Sequence, residues 1–162
     1  MKLTLYTDYT LRVLIHLGAH SGRKITIQEL AEQLRVSHNH LMKVVNNLVR
    51  NGFVRGVRGK KGGVMLDRPP ETISIGSVVR LTETMTLAEC FDAPGNTCAM
   101  SSNCKLKGVL QDAAEDFMRR FDSCFLVDLL PDVSPLPDAR GISQGGVHLL
   151  RRMERSLATA TP

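Results

Sequence analysis

Residues 26–67 read TIQELAEQLRVSHNHLMKVVNNLVRNGFVRGVRGKKGGVMLD and contain the signals of two short helices followed by a hairpin. Thr26, followed three residues later by Glu29, is a capping box, and apolar residues then recur on one helical face. After a short break, Ser37 can cap a second helix, and the Asn-Gly pair that begins at Asn51 ends it. Two capped helices with a tight turn between them predict a helix-turn-helix.

The segment after the second helix predicts a hairpin with a cationic tip. Residues 53–57 and 64–66 have the composition of two short strands, and the turn between them is rich in glycine. Glycine lets a backbone approach a phosphate closely, and Arg58, Lys60 and Lys61 supply positive charge. The turn is not a nucleotide-binding P-loop, because the required spacing and the following Ser or Thr are missing. Helix, turn, helix and basic hairpin in this order predict a winged helix-turn-helix.

The start of the second helix carries side chains that suit DNA better than a core. Its outward positions can hydrogen-bond base edges or phosphates, whereas the inward positions form an apolar stripe. We therefore expect this helix to read double-stranded DNA and the hairpin to contact the DNA backbone or minor groove. The predicted DNA-binding residues are Ser37, His38, Asn39, His40, Lys43, Arg58, Lys60 and Lys61.

The distribution of charge supports a polyanionic partner for the first half of the chain. The 162 residues carry a net charge of +5, but residues 1–70 hold twelve Lys and Arg against four Asp and Glu, whereas residues 71–130 hold five against nine. No apolar run is long enough for a membrane span, and the first twelve residues lack a signal-peptide layout. We expect a cytoplasmic protein without a membrane partner.

A long helical pattern in the second half predicts assembly. It covers residues 106–130, and its broad apolar stripe lies too far along the chain to belong to the small N-terminal core. A winged helix that reads duplex DNA commonly binds as a symmetric pair, so we interpret this element as the dimerisation helix of a homodimer. The stripe consists of Leu106, Leu110, Ala113, Ala114, Phe117, Phe121, Cys124 and Phe125.

These patterns together predict a mainly α fold with a small β-hairpin wing. The DNA-binding domain is expected at residues 1–70. A connecting helix, a cysteine loop and the dimerisation helix follow at residues 71–130. Residues 131–162 are rich in Pro, Gly, Ser and Ala, and we expect a flexible C-terminal tail there.

Three of the four cysteines lie in one loop, ECFDAPGNTCAMSSNCKLK, at residues 89–107. Seven residues separate Cys90 from Cys98, and five separate Cys98 from Cys104. In a reducing compartment such a group indicates metal ligands or redox chemistry more than disulfides. Three thiolates suit an iron-sulfur cluster, whereas zinc sites commonly use two close cysteine pairs.

The cysteine loop is also compatible with two other uses of its thiols. A redox switch without a cluster, formed by Cys98 and Cys104, remains an alternative. A thiol enzyme is disfavoured because the loop contains no histidine to act as a base, and we expect no enzymatic activity.

Four stretches of the chain resemble the Rrf2 family of winged-helix transcriptional regulators. They are LYTDYTLRVLIHL, SHNHLMKVVNNLVRNGFV, VRGKKGGV and the AEC, NTC and NCKLK parts of the cysteine loop, and the likeness covers residues 1 to about 130. The resemblance implies a DNA-binding repressor with an iron-sulfur cluster held by Cys90, Cys98 and Cys104. It favours a 4Fe-4S cluster over a 2Fe-2S cluster.

The resemblance is strongest to the nitric-oxide-responsive members of that family. In those members an aspartate near the start of the first helix reaches the cluster of the other subunit, and the matching residue here is Asp8. The seven-residue gap after Cys90 also resembles the iron-responsive members, so an iron-responsive regulator is the alternative.

Overall fold

The computed structural model describes residues 2–59, 62–84, 86–91, 96–100 and 104–131, and these residues are mainly helical. Strands β1 (Val54–Val57) and β2 (Gly63–Leu66) form a two-stranded antiparallel sheet. This arrangement confirms the predicted fold class, a mainly α fold with a β-hairpin wing. The helices are α1 (Leu5–Ala19), α2 (Ile27–Leu34), α3 (His38–Arg50), α4 (Ile75–Thr82) and α5 (Lys105–Asp122).

Helices α2 and α3 form the predicted helix-turn-helix. Thr26 Oγ1 accepts a hydrogen bond from the backbone N–H of Glu29 at 3.1 Å and so caps α2. Arg35 then adopts a left-handed conformation, with φ of 53°, which produces the sharp turn before α3. Ser37 Oγ caps α3 by accepting from the backbone N–H of His40 at 3.4 Å. The buried face of α3 consists of Leu41, Val44, Val45 and Leu48.

Helix α1 lies at the centre of the core. It packs against α2, α3, α4 and β2, and its residues Val13, Leu14 and Leu17 are almost completely buried. Burial of one such side chain contributes about 1.5–3 kcal/mol. Because α1 contacts both the helix-turn-helix and α4, a displacement of α1 must be accommodated by both.

The wing is joined to the helix-turn-helix through its second strand. Val54 pairs with Leu66 in the sheet, and Val64 forms a further antiparallel bridge with Ile25, just before α2. The two backbone hydrogen bonds of that bridge measure 3.0 and 2.8 Å. A Cβ at Gly63 would lie 2.8 Å from the Ile25 carbonyl oxygen, so the close approach requires glycine.

Helices α4 and α5 are held together by an ion pair. Both guanidinium Nη atoms of Arg80 contact the two carboxylate oxygens of Asp122, and the Nη2–Oδ2 distance is 2.6 Å. A Cβ at Gly76 would overlap the Asp122 carboxylate, so glycine allows the two helices to approach. The end of α5 is therefore fixed on the start of α4.

The prediction of one continuous helix over residues 106–130 is wrong in its last part, because α5 ends at Asp122. A short 3-10 helix follows at Leu126–Leu129. The Leu126 N–H donates to the Ile73 carbonyl at 2.8 Å, and the Leu126 side chain is fully buried. Tertiary burial and backbone pairing here outweigh the local preference for continuing the helix.

Residues as far as Leu130 group into one compact unit. The predicted tail lies outside the described residues from 132 onward. The predicted boundary at residue 70 between a DNA-binding domain and a connecting region stays a prediction. In the part of the chain that the structure describes, we find no helix with the length and apolar character needed to cross a bilayer.

Candidate functional site

The first turns of α3 present the predicted DNA-reading residues to solvent. Ser37, His38, Asn39, His40 and Lys43 are all exposed, while the opposite face of the helix is buried in the core. The helix therefore has a polar outer surface that can enter a groove and an apolar inner surface that anchors it. This is the arrangement a recognition helix needs.

Two neighbours hold the His40 side chain. Its Nδ1 lies 3.0 Å from Ser37 Oγ, and its ring centroid lies 6.0 Å from that of Tyr9 on α1. An exposed side chain with two neighbours samples fewer rotamers than a free one. His40 is thus more restrained than its place on the surface suggests.

Of the three cations predicted for the wing, one lies in the part of the chain that the structure describes. Arg58 follows β1 and is exposed, whereas Lys60 and Lys61 lie outside the described residues. Gly59 adopts φ of +115°, a conformation that favours glycine at this turn.

Arg68 connects the wing to the recognition helix, and no local sequence pattern indicates this role. Its Nε donates to the Gly52 carbonyl at 2.7 Å, and its Nη2 donates to the Asn51 carbonyl at 2.8 Å. Its guanidinium also lies 4.7 Å from the centroid of the Phe53 ring. These contacts stabilise the C-terminal end of α3, where carbonyls lack helical partners.

The three loop cysteines occupy different local structures. Cys90 lies in a short 3-10 turn, Cys98 follows in the loop, and Cys104 precedes the first residue of α5. All three are half-buried free thiols. The fourth cysteine, Cys124, is also a free thiol. Burial raises the pKa of Cys124, and the nearby Asp128 carboxylate raises it further by a smaller amount.

Hydrogen bonds organise the loop around Cys98. Glu89 accepts from the backbone N–H of Thr97 at 2.5 Å and from its hydroxyl at 2.6 Å, and these bonds lower the pKa of Glu89. The Asn96 side-chain oxygen accepts from the Cys98 N–H at 3.0 Å. Glu89, the residue directly before Cys90, is thus joined to the residue directly before Cys98.

The described residues contain no group of three or more His, Cys, Asp or Glu side chains that could hold a metal ion. Within this chain the structure therefore does not bring the three predicted thiol ligands together. Their chemistry still fits iron-sulfur ligation, because Cys90, Cys98 and Cys104 are unpaired soft donors in a single loop.

Asp8 lies in the first turn of α1 and pairs with Arg12. The Oδ2–Nη2 distance is 2.9 Å, and Arg12 Nε donates to Oδ1 at 3.1 Å. The Asp8 side chain remains 41% exposed, so its carboxylate is accessible from solvent. Arg12 restricts where that carboxylate points.

A second contact that the sequence did not indicate links α1 to the segment that leads into the cysteine loop. Glu83, just after α4, accepts hydrogen bonds from the Thr4 N–H, the Thr4 hydroxyl and the Thr7 hydroxyl at 2.7, 2.9 and 2.5 Å. Burial raises the pKa of Glu83, but these bonds together outweigh that effect and leave the pKa below its usual value. No local sequence pattern indicates this pairing, because the partners are 79 and 76 residues apart.

Known proteins resemble this chain in sequence and in fold. Two relatives described as HTH-type transcriptional regulator NsrR are similar to this chain. The Geobacillus kaustophilus protein is 43% identical over 84% of this chain and 94% of its own, and the Bacillus subtilis protein is 47% identical over 80% and 90%. The solved T. potens IscR shares the fold with a TM-score of 0.68 at 24% identity, covering 87% of this chain and 94% of its own.

A family model agrees with these relatives. The model for Rrf2, described as an iron-dependent transcriptional regulator, matches residues 3–132, which include the helix-turn-helix, the wing and the cysteine loop. The chain belongs to the Rrf2 family of DNA-binding transcriptional regulators.

Proposed function

We propose that this regulator is a cytoplasmic homodimeric repressor that senses nitric oxide through a 4Fe-4S cluster. The observation that carries the proposal is the loop with three half-buried free thiols, in a chain whose relatives are described as NsrR. Cys90, Cys98 and Cys104 would hold the cluster. When bound, the cluster supplies iron that nitric oxide can attack.

The fourth ligand in this proposal is Asp8 of the partner subunit. A carboxylate is a harder donor than a thiolate and binds cluster iron more weakly. Arg12 competes for the same carboxylate, since it already holds both oxygens. Asp8 is therefore the ligand that exchanges most readily, because the ion pair with Arg12 stabilises it once it leaves the iron.

Release of Asp8 would act on DNA binding through α1. This helix packs directly against α3, so a change in its position alters the support of the recognition helix. A difference of about 1–3 kcal/mol between the two states is enough to change operator occupancy strongly.

The surface of α5 supports a symmetric dimer. Leu106 and Val109, near its start, are 62% and 63% exposed. Together with Ala113 they follow helical spacing, so they form an apolar strip that begins two residues after Cys104. Covering this strip with a second copy would bring two cysteine loops close to the dimer axis.

One preparation separates this proposal from its alternatives. The full chain is purified without oxygen, its iron and sulfide are measured, and operator binding is compared after nitric oxide, iron chelation and oxygen. Bound iron and sulfide, with loss of DNA binding after nitric oxide, support the proposal. Loss only on chelation supports an iron-responsive regulator, and binding controlled by thiol oxidation in the absence of iron supports a Cys98–Cys104 switch.

Substitutions at the ligands give a sharper prediction. Changing Cys90, Cys98 or Cys104 to alanine is expected to abolish the cluster absorbance and tight operator binding together. Asp8→Ala is expected to leave a cluster that decays faster and responds differently to nitric oxide. Cys124→Ala is the matched control, because this thiol lies outside the loop.

The Asp8 assignment fails under one clear result. An Asp8→Ala protein whose cluster spectrum, lifetime and nitric-oxide response equal those of the unaltered protein would exclude this ligand while leaving the cysteines in place.

A further inference from the structure

The first helix reaches the start of the recognition helix at Tyr9. The Tyr9 ring lies 6.0 Å from the His40 ring, centroid to centroid, with the two planes tilted by 35°. Tyr9 is half-buried and packs against the hydrophobic core, so its ring is held in place by the body of the protein. His40 is exposed, and the tyrosine therefore restrains a side chain that would otherwise be free.

Ser37 restrains the same imidazole through a hydrogen bond. Its Oγ lies 3.0 Å from His40 Nδ1 and also accepts the His40 backbone N–H at 3.4 Å. Because Nδ1 is engaged, Nε2 is the ring nitrogen left to meet a ligand. When the serine hydroxyl donates to Nδ1, Nε2 carries the hydrogen and can donate to an acceptor on a base edge.

We propose that Tyr9 is a positioning residue for DNA recognition, which orients His40 so that the imidazole reads one base in each half-site. The inference rests on the proposed role of His40 in the DNA interface. A side chain already held in its binding rotamer loses less entropy when it meets the base, so the contact discriminates more strongly between bases.

The position of Tyr9 also links this contact to the rest of α1. Tyr9 directly follows Asp8 and lies in the same helix that Thr4 and Thr7 fasten to Glu83. A shift of the first turns of α1 therefore moves the Tyr9 ring relative to His40. In this way the sequence preference of the recognition helix, as well as its affinity, depends on the placement of α1.

The test measures base preference with the anaerobically purified full chain. Selection from a pool of random-sequence DNA duplexes gives the preferred base at each position, and binding to duplexes that differ at single positions gives the affinity ratios. His40→Ala is expected to reduce the preference at one position of each half-site from about tenfold to nearly none. Tyr9→Leu keeps apolar bulk against the core but removes the ring, and it is expected to flatten the preference at the same position.

Three further variants separate positioning from other roles. Tyr9→Phe keeps the ring and is expected to preserve the base preference. The double variant Tyr9→Leu with His40→Ala is expected to match His40→Ala alone, because the two residues act through one contact. Tyr6→Leu makes the same change on the same helix and is expected to leave the preference unchanged, with thermal unfolding confirming that each variant is folded.

The outcomes are distinguishable. If His40→Ala changes the preference at one position but Tyr9→Leu does not, the positioning role is wrong and the DNA site stands. Equal losses in Tyr9→Phe and Tyr9→Leu would assign the effect to the tyrosine hydroxyl and overturn the positioning role as well. If His40→Ala leaves every preference intact, His40 does not read DNA and both ideas fail.

Discussion

At the scale of single residues, the side chains that organise the DNA surface are often not the ones expected to touch DNA. Arg68 belongs to the segment after β2, yet it caps the end of α3 through the Asn51 and Gly52 carbonyls. It therefore joins the end of the recognition helix to the segment that leaves the wing. The recognition helix can enter a groove while the wing contacts the DNA backbone only if the two elements are correctly placed relative to each other.

Replacing Arg68 with alanine tests this role. The change removes two hydrogen bonds to carbonyls and the contact with the Phe53 ring, so we expect the free energy of unfolding to fall by about 1–2 kcal/mol. Chemical denaturation measures the change. Arg55→Ala is the matched control, because its ion pair with Asp67 is long, at 3.8 Å, and exposed, and its loss should cost less than about 0.5 kcal/mol. Equal effects of the two substitutions would contradict the capping role.

At the scale of elements, α5 combines two different surfaces. Its C-terminal part packs within the subunit, where Met118 is buried and Asp122 pairs with Arg80. Its N-terminal part leaves Leu106 and Val109 exposed. The same helix therefore serves the subunit core at one end and is available for a second copy at the other.

A charge placed on the exposed strip is expected to disrupt assembly. Val109→Asp would put a carboxylate into the proposed apolar interface, and burying it without a partner is costly. We expect sedimentation to show a shift from dimer to monomer and operator affinity to fall at least tenfold. Gln111→Asp is the control, since residue 111 lies on the opposite side of α5. A Val109→Asp protein that stays dimeric would place the interface elsewhere.

At the scale of the whole molecule, the charge asymmetry separates two tasks. Residues 1–70, with their excess of Lys and Arg, carry the helix-turn-helix and the wing, whereas the acidic residues 71–130 carry the cysteine loop and α5. A polyanion is attracted to the first part and repelled by the second. This distribution favours one orientation of the protein on DNA.

The wing charges should appear in the salt dependence of binding. Lys60→Ala and Lys61→Ala are each expected to weaken binding to all DNA sequences and to reduce the slope of log affinity against log salt by about 1. Titrations at several salt concentrations measure this slope. Lys107→Ala, in the acidic half of the chain, is the control for a general loss of charge. Unchanged slopes in both wing variants would show that the wing does not contact phosphate.

Local patterns in the sequence were sufficient for the DNA-binding elements. Capping residues such as Thr26 and Ser37, together with helical and strand periodicity, depend on neighbours only a few positions away, and the structure has α2, α3 and the hairpin where these patterns lie. The exposed face of α3 could be predicted for the same reason, because the apolar stripe of this helix determines which side is buried.

Only the tertiary structure decided the contacts between distant segments. The end of α5 at Asp122 depends on the pairing of the next residues with Ile73 and Ser74, and the bond between Glu83 and Thr7 joins residues 76 positions apart. Likewise, nothing near Tyr9 in the sequence indicates that its ring meets His40. Periodicity and capping report the conformation of a single segment, whereas these contacts arise from how separate segments share one core, and that depends on the shape of the whole fold.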